Sequence, residues 1–530
     1  MTATTRYDAI IVGGGHNGLV CAAYLAGAGR KVLLLERRHL LGGAAVTEEH
    51  LAGFKYSACS YVVSLLRPEI IHDLELAKHG LSIIPLACSF TPDLSGPGLV
   101  RWPDFARTHD EISRLSRRDA DRYPEFGKAM GKMGDFIRPL LMQPAPDPTR
   151  LPRRLGESLS LLRRLRKLGP RGLAQFVQLM TQSAVDLLDR WFESDRLKAP
   201  MACSGIIGTF LGVRSPTTAY VLLHHYMGEI DGAYRAWGFA RGGTGAISEA
   251  IASAARARGA EILCEAAVEK ITTRRGSARG VVLEDGREFE ARVVISACDP
   301  RRTFFSFVGR DQLDDDFVAQ ITRYRYRGSS GKVNLALDRL PDFSCRPGRG
   351  LHLQGDIAIA PSIDYLERAY DEAKHGAFSR RPYINLVIPS LTDPTVAPPG
   401  KHVMSAFVQY APYQLAEGPA AWDQQREAFG DTVVETLEEY CPGLKDAILH
   451  RQVLTPLDLE REYGLTEGNI FHGELSLEQL LFMRPTMGWA RYQTPIQNLW
   501  LCASGAHPGG GLMGAPGALC ARRLLEEHYL

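Results

Sequence analysis

Residues 8 to 36 constrain the fold more than any other part of the chain. Asp8-Ala-Ile-Ile-Val12 is a short apolar run, and Gly13-Gly-Gly15-His16-Asn17-Gly18 is a glycine-dense turn. A small-residue segment follows, and Lys31-Val-Leu-Leu-Leu-Glu36 is a second apolar run ending in an acid. The order reads as strand, turn, helix, strand, carboxylate. Gly13, Gly15 and Gly18 remove the side chains that would hold a backbone away from a pyrophosphate. The helix after them points its positive N-terminus at the same place. Glu36 stands where a carboxylate can hold both hydroxyls of an adenosine ribose. The pattern predicts a bound dinucleotide.

A chain of 530 residues has room for roughly two or three domains with large cores. The net charge is +2, so no global field recruits nucleic acid. The 10 cysteines are scattered and form no Cys-x-x-Cys pair, which argues against a zinc ribbon and a redox dithiol. Cys21, Cys264, Cys298 and Cys502 lie in apolar stretches and read as buried thiols in a reducing compartment. No apolar run is long enough to span a bilayer, and Met1–Tyr7 lacks a hydrophobic signal region. The expected location is cytoplasmic.

A second glycine pair, Gly42-Gly43, followed by Ala44, comes soon after Glu36 and Arg37. A nicotinamide dehydrogenase does not need it. It suits a longer cofactor whose pyrophosphate and ribityl chain pass along this loop. Near the other end, Leu499–Ala503 reads as a strand and Ala518–Leu525 as a closing helix. Between them runs Ser504-Gly505-Ala-His507-Pro-Gly-Gly510-Gly511-Leu512-Met513-Gly514, glycines dense enough for close backbone approach to a ligand. Ala240-Arg241-Gly242-Gly243-Thr244-Gly245 precedes an alanine-rich helix from about Ile247 to Arg258, ended by Gly259. A strand pair carrying Val268 and Ile271 follows, then a hairpin at Asp285-Gly286 and a buried strand Arg292–Ala297.

These segments, with Tyr226-Met-Gly-Glu229, Ala236-Trp237-Gly238 and Leu481-Phe-Met-Arg484-Pro485, make the chain resemble the phytoene dehydrogenase-related FAD-dependent oxidoreductases. Within that family it is most similar to the pyridine nucleotide-disulphide oxidoreductase domain-containing protein 2 group. The absent Cys-x-x-Cys pair speaks against the disulfide chemistry in that group's name. The resemblance implies non-covalent, extended FAD. Gly13, Gly15, His16, Asn17 and Gly18 would surround the pyrophosphate, and Glu36 and Arg37 the ribose. Gly42, Gly43 and Ala44 would follow the chain toward the flavin. The Val268 backbone would touch adenine, and Gly505, Gly510, Gly511, Leu512 and Met513 would meet ribityl and isoalloxazine.

The chain carries one strand–glycine turn–helix unit with a trailing acid, and no second one for a nicotinamide. An organic substrate would then reduce the flavin, and oxygen, a quinone or another small acceptor would reoxidise it, with NAD(P) docking without a motif as the alternative. The stretch Tyr220–Asp231, with Trp237 just after it, is rich in aromatic and titratable groups and stands at a domain join, where pockets form. His224 or His225 could take a proton during hydride transfer, with Tyr226 and Trp237 lining the pocket. Either histidine can equally be a packed core residue. His507 has two readings: a contact to substrate or flavin, or a brace for the turn.

From Arg150 to Arg171 there are eight Arg or Lys residues and one acid, Glu157, interleaved with leucines. Such a helix can lie on an anionic membrane or pack as a solvated cap. Gly169-Pro170 closes this stretch, and Pro144–Pro152 reads as its linker. The expected architecture is α/β: a discontinuous Rossmann-like FAD-binding domain (1–65, 236–305, 480–530), a mixed-sheet substrate-binding domain (66–104, 306–479) and a helical cap (105–235). Lys332–Leu337, Tyr383–Ile388 and His402–Val408 supply its strand alternations. Three functions fit this plan. The first is a dehydrogenase or desaturase acting on a C–H bond of an apolar, isoprenoid-like substrate. The others are a flavin amine oxidase and a non-catalytic lipid or prenyl carrier.

Overall fold

Arg6–Val12 (β1) is apolar at Ile10, Ile11 and Val12, all buried, and so can only be a strand covered on both faces. The computed structural model, which describes residues 6–146, 155–230, 233, 234 and 237–530, places it inside a seven-stranded sheet. β1 pairs in parallel with Val32–Leu35 (β2) on one side and Glu288–Ser296 on the other. Glu261–Leu263 extends the sheet beyond β2, and Leu499–Leu501 joins Glu288–Ser296, both in parallel. The antiparallel strands Ser277–Leu283 and Val268–Arg274 complete it. The hairpin expected at Asp285-Gly286 is there, with Gly286 at φ +84.

His16–Gly27 (α1) packs against Gly245–Ala257 and the final helix Ala515–Glu526. Small residues set these approaches. A methyl group at Gly18 would stand 2.4 Å from the Gly13 carbonyl oxygen and 2.9 Å from the Ala297 methyl. One at Gly517 would stand 2.1 Å from the Asn17 carbonyl oxygen. Glycine is thus required where the helices press on the turn that β1 feeds.

The second seven-stranded sheet runs Ile448–Leu454, Ser330–Leu337, His402–Gln409, Tyr383–Val387, Asp356–Ile359, Ser89–Thr91, Leu99–Arg101. All neighbours are antiparallel except Asp356–Ile359 with Ser89–Thr91, so the fold is α/β with mixed sheets. Every residue of Ser330–Leu337 is buried. Val333, Leu335 and Leu337 pack with Trp422 and Phe429. On the opposite face, Lys332 and Asn334 reach the backbone of Ser57 and Ala58.

Between residues 105 and 226 the described elements are helical: Phe105–Ser113, Arg117–Ile137, Leu155–Thr181, Ala184–Asp189, Asp195–Ala202 and Thr218–Tyr226, with short 3-10 turns. Gly169-Pro170, expected to bracket the basic region, breaks the helix there: Gly169 takes a non-helical φ of +67, and a second helical stretch runs on to Thr181. The fixed φ of Pro170 suits the first position of a new helical stretch. Arg163, Arg166 and Arg171 are exposed on this helix, as are Leu173 and Val177. Its inner side carries Met180, clustered with Val221, Phe471 and Leu475, and Phe176 against Phe136. Residues 150–154 of the basic stretch, residues 147–152 of the expected linker, Asp231 and Ala236 lie outside the described residues. No described helix is long and apolar enough to cross a membrane.

Gly18→Ala is expected to destabilise the protein by about 1–3 kcal/mol, read as a lower thermal midpoint. An unchanged midpoint would contradict the packing described.

Candidate functional site

The turn after β1 forms one wall of a cleft of about 340 Å³. Gly13, Gly15, His16, Asn17 and Gly18 line it, with Glu36, Arg37, Gly42, Gly43, Ala44 and Val268. Eleven expected cofactor residues, drawn from three parts of the chain, thus meet on one surface. Gly13 needs its φ of +104, and Gly42 its φ of +122. The two glycine segments touch: the Gly42 N–H donates to the Gly14 carbonyl at 2.9 Å, and a methyl at Gly43 would stand 3.4 Å from Gly15 Cα. A methyl at Gly15 would meet nothing within 4 Å, so the space above this glycine is open to the cleft. Glu36 is buried. Its Oε2 accepts from the Gly14 N–H at 2.7 Å and its Oε1 from the Arg38 N–H at 2.9 Å, which holds the carboxylate at the end of β2.

Three polar atoms of this cleft are buried without a partner: His16 Nε2, Asn17 Oδ1 and His472 Nδ1. Burial pulls the His16 imidazole down to about 4, with His472 adding to it, and burial also lowers His472. Both rings are therefore neutral at pH 7, each with one donor and one acceptor. An open glycine cradle at a helix N-terminus, an acid at the end of β2 and unspent polar atoms fit an extended dinucleotide.

The cleft joins a second pocket of about 130 Å³, sharing His16, Ala44, Ile470 and Ser504 with it. Tyr61, Leu65, Ile207, His225, Trp237, Phe407, Phe471, Gly511 and Leu512 are among its lining residues, and among the described residues none that lines it is an Asp or Glu. Two ring stacks form part of the wall: Tyr61 on Phe407 (centroids 6.0 Å apart), and His225 between Trp237 (6.0 Å) and Phe471 (6.4 Å).

Among the described residues lining this pocket Lys332 is the one lysine or arginine, and sequence reasoning missed it. It is buried, and burial drops its amine to about 7. Nζ donates to the Ser57 carbonyl at 3.1 Å and to Ser405 Oγ at 2.6 Å, while Ser405 Oγ donates onward to Asn334 Oδ1 at 2.7 Å. A neutral amine with both N–H groups spent this way keeps its lone pair uncommitted. Nζ also stands 4.7 Å from the Tyr61 ring centroid. The available signal was Lys332 and Asn334 at alternate positions of an otherwise apolar strand.

The expected catalytic residues are sorted differently. His507 does not line either cavity. Its Nε2 lies 3.1 Å from the carbonyl oxygens of both Leu140 and Gln143, and burial holds it neutral, at about 4. It braces the tail against the helical region, which corrects its catalytic reading. His224 is likewise a brace, with Nε2 3.3 Å from the Gly510 carbonyl oxygen and burial pulling it to about 3. His225 lines the pocket, with its ring stacked against Trp237 and Phe471. Its Nδ1 faces the Val221 carbonyl at 2.9 Å and the ring also meets the Ser204 backbone, so its nitrogens are spent. Tyr226 packs edge-on against Phe126 outside both cavities. Trp237 does line the pocket.

Three cofactor expectations are also corrected. Gly505, Gly510 and Met513 stand behind the walls. A methyl at Gly505 would strike Pro300, one at Gly510 would strike Phe471, and the Met513 carbonyl accepts from the Arg67 N–H. Close packing of backbone on neighbouring side chains, not ligand approach, explains these glycines. Cys264 and Cys298, expected to be buried, are partly exposed, and Cys298 lines the cleft. Arg302, Tyr463, Ile470 and His472 also line it and were not anticipated. No glycine signature or periodicity marks them.

His507→Ala is expected to cost about 1–2 kcal/mol in a thermal melt while leaving flavin content at saturating FAD unchanged. Loss of flavin with an unchanged melt would restore the contact reading.

Residues 89–447 match the family model described as flavin containing amine oxidoreductase, and residues 11–72 match the NAD(P)-binding Rossmann-like domain. Pyridine nucleotide-disulfide oxidoreductase domain-containing protein 2 of Mus musculus is 43% identical, over 98% of this chain and 94% of that one. The lycopene-forming phytoene desaturase of Pseudescherichia vulneris is 27% identical, over 95% and 96%. A solved oxidoreductase from Methanosarcina mazei superposes with a TM-score of 0.61 at 19% identity, covering 98% and 99%.

Proposed function

The chain belongs to the flavin containing amine oxidoreductase family and is an FAD-dependent oxidoreductase, and from that premise we propose that it oxidises a C–H bond of an apolar, isoprenoid-like substrate. The observation that carries this reading is the composition of the pocket that opens off the cofactor cleft. Among the described residues its lining is mainly aromatic, aliphatic and small, with no carboxylate to hold an ammonium group, and it places a lysine where an amine substrate would need an acid. An alkyl or polyene chain needs only such a surface.

Bound FAD supplies a two-electron acceptor for the hydride, and oxygen, a quinone or another small acceptor restores it. The protein supplies the rest. His16, Ala44, Ile470 and Ser504 bring the substrate up to the cofactor. The ring stacks of Tyr61–Phe407 and Trp237–His225–Phe471 exclude water and orient a flat chain. Lys332 Nζ accepts the proton lost from the neighbouring carbon, because its lone pair is free and its amine is half-deprotonated near pH 7. Hydride and proton leave adjacent carbons and a double bond forms between them.

Purified protein mixed anaerobically with a panel of polyenes and amines tests the reading. Bleaching of the flavin band by polyenes alone is expected, and bleaching by amines alone would favour an amine oxidase. Because the proton acceptor is the neutral amine, the rate of bleaching should rise with pH through about 7. Lys332→Met should flatten that rise and slow the plateau by about 100-fold or more. A wild-type rate that falls with rising pH would contradict the assignment.

We assign the helix Leu155–Thr181 to the surface of an anionic bilayer that delivers such a substrate. On this helix, exposed Arg163, Arg166 and Arg171 are followed along the chain by exposed Leu173 and Val177. Its Met180 joins the apolar cluster of Phe471, with Phe176 and Ile207 packed against it, and Phe471 and Ile207 line the pocket. Sedimentation with vesicles containing anionic lipid should exceed that with neutral vesicles, and should be lost when Arg163 and Arg166 become Glu and Leu173 and Val177 become Ser. Equal binding to both kinds of vesicle contradicts the assignment.

A further inference from the structure

We propose that Arg37 and Arg302 form a two-guanidinium seat for the diphosphate of the bound dinucleotide, closing on it across the cleft from the glycine turn. The inference rests on the cofactor assignment above and concerns how this chain compensates the cofactor's charge.

The topology brings the two arginines to the turn from opposite sides. β1 lies between β2 and Glu288–Ser296. Arg37 directly follows Glu36 beyond the end of β2, and Arg302 begins the short helix that follows Glu288–Ser296. Both line the cleft. Cys298, four residues before Arg302, sits beside the turn, with Sγ 3.4 Å from where a Gly13 Cβ would stand. The two side chains converge at Gly464, which takes φ +70. From the position of a Cβ there, Arg302 Nη1 is 3.0 Å away and Arg37 Nη2 is 3.6 Å away.

Two like charges this close in a partly buried cleft repel each other unless an anion lies between them. Among the described residues neither arginine has a carboxylate within ion-pair distance. Arg37 spends Nη2 on the carbonyl oxygens of Arg461 and Glu462. The nearby acids are engaged elsewhere. Both Glu36 oxygens accept backbone N–H groups, and Asp299 accepts from the Arg302 N–H and Thr466 Oγ1. Burial and the presence of Arg302 both lower Arg37, as expected of a cation lacking its counter-ion. A diphosphate ester carries two negative charges, and its oxygens match guanidinium geometry. It is also the group that the glycine turn and the N-terminus of α1 are shaped to receive. A carboxylate substrate is not the occupant, since neither arginine lines the substrate pocket.

The test titrates apoprotein with FAD, ADP and adenosine by calorimetry, for wild type, Arg302→Ala and Arg302→Lys, with a thermal melt of each. Arg302→Ala should weaken FAD and ADP by at least about tenfold, leave adenosine within about twofold, and flatten the salt dependence of ADP binding. Arg302→Lys should recover part of the loss, and it carries the test if the alanine variant melts early. Unchanged ADP affinity in either variant overturns the proposal. So does equal weakening of ADP and adenosine, which would mark Arg302 as a nucleoside contact or a structural support. Wild-type protein that binds no FAD would overturn the cofactor assignment instead, a result distinct from an unresponsive Arg302.

Discussion

The guanidinium of Arg484 holds together the place where the cofactor cleft meets the substrate pocket. The residue is fully buried and donates only to backbone carbonyls, those of Phe471, Gly473, Glu474, Gln479 and Ser504, at 2.7–3.2 Å. A buried cation is tolerated only when its donors are satisfied, so these five groups cannot drift apart cheaply. Phe471 lines the pocket, Ser504 lines both spaces, and Ile470 and His472 flank Phe471 in the chain. One side chain thus fixes the loop from the second sheet's part of the chain against the strand end of the first. The junction at His16, Ala44, Ile470 and Ser504 depends on that clamp.

The two ends of the joined cavity are built on opposite electrostatic terms. At the phosphate end stand the α1 N-terminus and two arginines that, among the described residues, have no carboxylate partner. At the substrate end burial holds the histidines neutral, with His16 and His225 lowered to about 4, and brings Lys332 down to about 7, where its neutral and charged forms are balanced near pH 7. In the form with a neutral Lys332, an apolar substrate meets no full charge among the described lining residues until that amine takes a proton. Charge that appears only as reaction proceeds is the kind that a dry, preorganised site handles well.

Much of this was legible in the sequence where backbone geometry dictates the residue. The turn from Gly13 to Gly18 and the pair Gly42-Gly43 announced themselves because positive φ and close approach admit little but glycine. The strands at Lys332–Leu337, Tyr383–Ile388 and His402–Val408 were readable from alternation. What stayed hidden depends on partners far along the chain. His507 in a glycine loop looks the same whether it faces a ligand or, as here, the carbonyls of Leu140 and Gln143 more than 360 residues away. Lys332 in a strand ordinarily signals a solvent face, and only the covering of that face by Ser57 and Ala58 turns it into a buried amine. Arg302, Tyr463 and His472 reach the cleft from segments with no local signature at all. The glycines of the tail had the reverse fault: their density suggested ligand approach, whereas Gly505 and Gly510 are required by Pro300 and Phe471.

The central claim is that one extended dinucleotide runs from Glu36 along the glycine turn and ends where the aromatic pocket begins. A crystal structure of the FAD-loaded protein tests it most directly. The account predicts the redox ring among His16, Ser504 and the rim that carries Lys332, with the adenosine beside Glu36 and Val268. A ring turned out to solvent, or separated from the aromatic pocket by closed protein, would contradict it.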